Sequence, residues 1–266
     1  SVKVPIMIDS TTPACIEACL RLYPGRCIVN SINLEDGGKT LERVCRAAKK
    51  YGAAVVALTI NDQGMAMTAD EKLATARQIY DLVVNRYGLR PQDILFDPLT
   101  FTIGAGDKTL LDAGIQTLNG IRLIKRELPG VLTLLGLSNI SFGPPPASRR
   151  NHNSVFLHEA VNAGLDAAII DAGKILPLAQ ISDEDRELCL DLIYDRRQEQ
   201  AEPPLNRFIN HFAERVEEGS DQEAVDQRPE EALHLKIVKG EKDGLEDILA
   251  VLLQRNPPLE IVNHVL

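Results

Sequence analysis

Along residues 4–171 the hydrophobic and polar positions follow two alternating rhythms. Short unbroken apolar runs of strand length each close on a carboxylate or a carboxamide. Residues 4–8 end at Asp9, 26–29 at Asn30, 53–60 at Asn61-Asp62, 93–96 at Asp97, 132–137 at Ser138-Asn139 and 167–170 at Asp171. Such runs read as strands buried on both faces. Between them lie segments with helical spacing. Residues 12–23 form one, with Pro13 suited to its first turn, and 39–51 another, closed by Gly52. Residues 68–86 open on T-A-D-E, where Glu71 stands three places after Thr68 as in a capping box, and Gly88 stops them. Residues 108–128 precede Pro129-Gly130, and 148–163 precede Gly164. After the run at 132–137 come a Ser141-Phe142-Gly143 turn, prolines at 144–146 and then Arg149-Arg150, which predicts a stiff extended loop carrying two cations.

Six strand–helix units without a hairpin turn predict a parallel sheet with right-handed crossovers. No strand is followed by GxGxxG or GxxxxGK[ST], so the common nucleotide loops are absent. Polar residues at every strand end favour a barrel, whose strand ends share one mouth, over an open doubly wound sheet. The expected fold is therefore a (β/α)8 TIM barrel, α/β, with its first two strands expected to precede residue 1. After Ile181 the pattern changes to a charged helix at 183–200, a break at 201–204, a helix at 205–218 and an acidic linker at 217–231. Short apolar helices follow in 233–266, and the chain is expected to be a piece of a longer polypeptide. The organisation expected is a barrel over 1–200, an acidic helical and linker segment over 201–228, and a helical segment over 229–266.

The net charge of −9 and pI of about 5.1 argue against a nucleic-acid duplex as partner. No apolar run has membrane-spanning length and no signal peptide opens the chain, so a cytoplasmic protein with neither a membrane nor a nucleic-acid partner is expected. Cys15, Cys19, Cys27, Cys45 and Cys189 form no CxxC pair and read as reduced thiols. The candidate chemistry lies in Asp9, Asn30, Asp62, Asp97, Asn139 and Asp171, taken as a ring of strand-end groups. Each alone is an ordinary loop starter or helix cap. Together they offer donors and acceptors for a flat heterocycle with an amino group, a ring N–H and a carbonyl, such as a pterin. The rival use is a hard cation such as Mg2+ or Ca2+. Arg149 and Arg150 read either as a solvated helix start or as an anion contact for a substrate tail, and all five histidines read as surface groups.

The segments IDSTTPACIEACL, CIVNSINLE, FDPLTF, GLSNISFG and GLDAAIIDAG resemble the pterin-binding (β/α)8 barrel of methyltetrahydrofolate-using corrinoid methyltransferases, a family that includes cobalamin-dependent methionine synthase. The resemblance covers residues 4 to about 180. It implies pterin ligands at Asp9, Asn30, Asp97 and Asn139, with Asn139 near the methyl-bearing ring nitrogen and Arg149 or Arg150 near the folate tail. The segment 229–266 is similar to the start of the helical cap of a cobalamin-binding module, although the cobalt-ligating DxHxxG motif is absent from this chain. The implied activity is transfer of the methyl group of 5-methyltetrahydrofolate to cob(I)alamin held by a corrinoid domain or protein, as in a methionine-synthase-like enzyme. Alternatives are the methyltransferase serving a corrinoid iron–sulfur protein, a dihydropteroate synthase, and a pterin-binding module without catalysis. The dihydropteroate synthase reading lacks its usual Lys and Arg-x-His near the last strand. A homodimer is the oligomer left open. In the implied reaction Asn139 stabilises the protonated ring nitrogen, Asp9 and Asp97 hold the pterin edge, and water or an Asp network supplies the proton.

Overall fold

The computed structural model describes residues 4–103, 110–144, 146–197, 202–219, 230, 233, 236, 244–253, 257–258 and 261. The chain divides into two units, Ser1–Ala213 and Glu214–Leu266. In the first, the strands are β1 (Ile6–Asp9), β2 (Cys27–Ile32), β3 (Ala54–Leu58), β4 (Ile60–Asn61), β5 (Gly64–Met65), β6 (Ile94–Asp97), β7 (Leu132–Gly136) and β8 (Ala167–Ile169). The helices are α1 (Pro13–Leu22), α2 (Lys39–Tyr51), α3 (Ala69–Tyr80), α4 (Ala113–Glu127), α5 (Pro146–Ala163), α6 (Asp183–Ile193) and α7 (Pro204–Gly219), the last of which continues past Ala213 into the second unit.

Six strands form one parallel sheet in the order β1-β2-β3-β6-β7-β8, with β1 and β8 at its edges. The order never reverses, so each crossover steps to the next position on the same side, as in a barrel. Packing on the two faces agrees. Ile8, Val29, Val55, Ile94 and Phe96 bury against α1–α3 residues such as Ile16, Leu20, Leu41, Val44, Ala76 and Ile79. Leu135 and Leu137 pack with Leu118, Ile121, Val155 and Phe156 of α4 and α5. On the opposite face, among the described residues, Ala54, Val56, Leu95 and Leu134 cluster with strand residues alone, Met7, Ile28, Leu58, Leu132 and Ala167. Helices on one face and strand side chains alone on the other make this an open, half-barrel α/β sheet, not a doubly wound one.

Local sequence explains most element ends. Pro13 opens α1, where its missing N–H costs nothing. Thr68 caps α3 by accepting from the Glu71 N–H at 3.2 Å while Glu71 accepts from the Thr68 N–H at 3.0 Å. Gly52 ends α2 with φ of 71°, a left-handed turn open to glycine at little cost. The helix begun at Ala69 passes into a π-helical stretch, Asp81–Arg86, before Gly88.

Several expectations from the chain are corrected. The apolar run at 53–60 is not one strand. Buried Thr59 turns its N–H to the Asp97 carbonyl at 3.1 Å, and Ile60–Asn61 then doubles back on Gly64–Met65 as an antiparallel hairpin. A hairpin therefore exists where none was expected. After β7 the chain does not leave as an extended loop: Leu137–Ser141 is a 3-10 helix, and Arg149 and Arg150 already lie within α5. The helix expected at 108–128 begins at Ala113, and its proposed start at Lys108 falls outside the described residues. The helix expected at 183–200 ends at Ile193.

In the second unit, Leu245–Leu253 is helical, and Leu233, Leu252 and Ile261 form a small apolar cluster flanked by Leu245, Ile248 and Leu249. Most of the expected acidic linker, residues 220–229, lies outside the described residues. Among the described residues no helix is long and apolar enough to cross a membrane.

Candidate functional site

Strand register decides which polar ends can meet. Asp9 pairs with Asn30, Asn30 with Val56, Val56 with Leu95, and Leu58 with Asp97. Paired residues on neighbouring strands point to the same face, as do residues two apart on one strand. Asp9, Asn30 and Asp97 therefore share the inner face that carries Val56 and Leu95, at its C-terminal rim. The register between β2 and β3 shifts just beyond, between Asn30 and Ile32.

Asp97 is the most enclosed of them, with 8% of its surface exposed. Its Oδ1 accepts from the Leu99 N–H at 2.8 Å, and the backbone N–H of Gly136 on β7 also favours its charged form. Burial nevertheless pushes its carboxyl up to about 6, against the pull of those two N–H groups and of the Lys72 charge. The Leu99 N–H takes one of the roughly four lone-pair positions of the ionised carboxylate, which leaves acceptors for a ligand.

Asn139 lies on the 3-10 turn after β7 and is exposed. A Cβ placed on Gly136 would stand 3.3 Å from its Nδ2, so the amide folds back over Gly136. Asp97 and Asn139 thus converge on one residue, Gly136, from two directions. The hydroxyl of Thr102 donates to the Phe142 carbonyl and ties the loops after β6 and β7 together. Asp9 is exposed and Asn30 half-buried, and the Ser10 N–H donates to the Asn30 carbonyl at 3.1 Å.

The other expected residues have settings of their own. Asp62 is at the exposed tip of the β4–β5 hairpin and not at the end of a sheet strand. Asp171 caps the turn Ala172–Lys174, accepting from the Gly173 N–H at 3.1 Å and pairing with Lys174 at 3.2 Å. Arg149 is half-buried with its Nε unpartnered, and Arg150 reaches the Gly173 carbonyl only at 3.5 Å. Among the described residues no group of three His, Cys, Asp or Glu side chains could hold a metal ion.

Two buried groups escaped the sequence reading. His152, read as a surface residue, is fully buried on α5, with neither ring nitrogen partnered and its ring centroid 5.4 Å from that of Phe208. Burial alone holds its pKa down, at about 4. Lys72 is also fully buried; its ammonium donates to the carbonyls of Ala66 at 2.9 Å, Pro98 at 2.6 Å and Leu99 at 3.4 Å. Helical spacing could have found both: Lys72 stands between Ala69, Ala76 and Ile79 on the buried stripe of α3, and His152 between Ser148, Val155 and Phe156 on that of α5.

The family described as pterin binding enzyme matches this chain over residues 1–171. Methionine synthase from Mycobacterium tuberculosis (strain ATCC 25618 / H37Rv) is 43% identical over 274 aligned positions, which cover 99% of this chain and 23% of that protein. Methionine synthase from Mycobacterium leprae (strain TN) is 42% identical, covering 98% of this chain and 22% of its own length. A solved dihydropteroate synthase (FolP) from Thermus thermophilus has 23% identity and a TM-score of 0.44, covering 64% of this chain and 68% of that one. The chain spans under a quarter of the length of the curated relatives it matches. With its polar strand ends gathered on the inner rim of a parallel sheet, and with the family match running from residue 1 to residue 171, this chain belongs to the pterin-binding enzymes.

Proposed function

We propose that this chain binds 5-methyltetrahydrofolate at the C-terminal rim of its sheet and presents the methyl group to cob(I)alamin held by another domain or subunit, as in a methionine-synthase-like enzyme. The observation that supports this most is the placement of Asp97: a buried carboxyl with free acceptor positions, on the same face as Asp9 and Asn30 and beside Asn139.

In this reading Asp97 accepts two N–H bonds from the amino-pyrimidine edge of the pterin, and Asp9 and Asn30 line the neighbouring edge. Ligand donors replace the water that burial removed and favour the ionised carboxylate. Asn139, on a turn at the mouth, donates to or accepts from the methyl-bearing ring nitrogen. That nitrogen must leave as a neutral amine, so its protonated form has to be favoured before the methyl group departs. An amide cannot supply the proton, but its carbonyl oxygen stabilises the N–H cation, and the carboxylates of Asp9 and Asp97 add a favourable field. The corrinoid, when bound, supplies the methyl-accepting metal. Arg149 is assigned to the anionic tail of the folate.

The test is methyl transfer to added cob(I)alamin, followed by stopped-flow absorbance, with wild-type protein and Asn139→Ala. Asn139→Ala is expected to slow transfer by about 100-fold while weakening folate binding by less than about fivefold. Equal losses in both would restrict Asn139 to binding, and no transfer with tight folate binding would leave a carrier of the pterin in place of an enzyme.

A further inference from the structure

We infer that Lys72 is a positioning residue of the pterin site: its buried ammonium fixes the loop after β6 so that Asp97 faces the ligand. The inference rests on the functional reading above.

An ammonium enclosed by protein is costly unless something needs it there. The stem of Lys72 runs between α3 and α4, where a methionine would fill the same space without a charge to desolvate. The space is also shaped for it, because a Cβ on Gly120 would come within 2.8 Å of Lys72 Cδ. What the ammonium grips is the chain directly beyond Asp97. Its acceptors Pro98 and Leu99 are the next two residues, and the third, Ala66, lies just past the β4–β5 hairpin. The Phe101 ring covers the ammonium at 4.9 Å.

Leu99 shows why a grip is needed. Its φ of 63° is a left-handed conformation that a leucine adopts only when its surroundings impose it. The Leu99 carbonyl is held by Lys72 and by the Thr117 hydroxyl at 3.0 Å, and its N–H bonds Asp97 Oδ1 at 2.8 Å. Lys72 therefore acts on Asp97 in two ways: through the backbone it clamps, and through a charge close enough to stabilise the carboxylate. Neither requires Lys72 to touch the pterin.

The test is a double-mutant cycle on 5-methyltetrahydrofolate affinity by titration calorimetry in the full-length protein, using Lys72→Met, Asp97→Asn and the pair. Lys72→Met should weaken binding about tenfold, and should weaken it less than about threefold once Asp97 is already Asn. Losses that multiply, or a Lys72→Met protein within about twofold of wild type, would overturn the assignment. If Lys72→Met does not fold, Gly120→Ala, which displaces the lysine stem and keeps the charge, takes its place and must weaken binding about threefold or more in the same non-additive way. A wild-type protein that binds no methyltetrahydrofolate would overturn the functional reading and this inference with it. Binding that is lost with Asp97→Asn but kept with Lys72→Met would overturn the role of Lys72 alone.

Discussion

Burial holds the Asp97 carboxyl at about 6, and only its ionised form can accept both bonds from a pterin edge. Affinity should therefore be flat above pH 7 and fall about tenfold per unit below pH 6. Calorimetry across that range should show the slope in wild type and its absence in Asp97→Ala, which should bind about 1–3 kcal/mol more weakly at pH 7.5. His152 titrates with the opposite consequence. Its pKa falls from 6.5 to about 4 in the folded protein, so its contribution to stability is present above pH 6.5 and lost as pH falls towards 4. Asp97, raised from 3.8 to about 6, favours the folded state at low pH and loses that contribution as pH rises through 6. The two terms largely cancel in the wild type. Replacing His152 by Leu removes one of them, so the stability of His152→Leu relative to wild type should rise by about 2 kcal/mol between pH 7 and pH 5 in urea denaturation. An unchanged difference would mean that water reaches the ring.

Short-range chemistry made some elements readable from the chain and hid others. The capping box on α3 depends on residues three apart, and it forms as the sequence implies. Thr68→Ala should accordingly cost about 1 kcal/mol of thermal stability, with no change in pterin affinity. The β4–β5 hairpin was hidden because residues 53–60 look like one apolar run; the break is made by the Asp97 carbonyl, thirty-eight positions away from Thr59. Likewise Leu137–Ser141 coils into a 3-10 turn where prolines further on suggested an extended loop, and this turn sets Asn139 over Gly136. Lys72 and His152 were obscure for a related reason. Charge and residue type argue for the surface, and only their position on a helical stripe argues for the interior.

For the molecule as a whole, the polar strand ends were the informative pattern. They predicted a common rim, and the sheet order with helices on one face delivers it for Asp9, Asn30 and Asp97. Asp62 stands instead at a hairpin tip, and Asp171 caps the turn that follows β8, settings that draw on the same residue types as a ligand site. The fold thus separates two sets of strand residues: alternate positions build the strand–helix core, and the others line the opposite face, to which the ligand is assigned here. With a net charge of −9, the proposed recognition of an anionic folate tail would fall to local cations, the role assigned here to Arg149. Hydrogen exchange with and without 5-methyltetrahydrofolate tests the shared rim most directly. Slowed exchange confined to residues 9–10, 30–31, 97–100 and 136–142 is the expected result; slowing elsewhere, such as at the Arg46, Arg86 and Tyr87 surface, with those four segments unchanged, would contradict a shared rim.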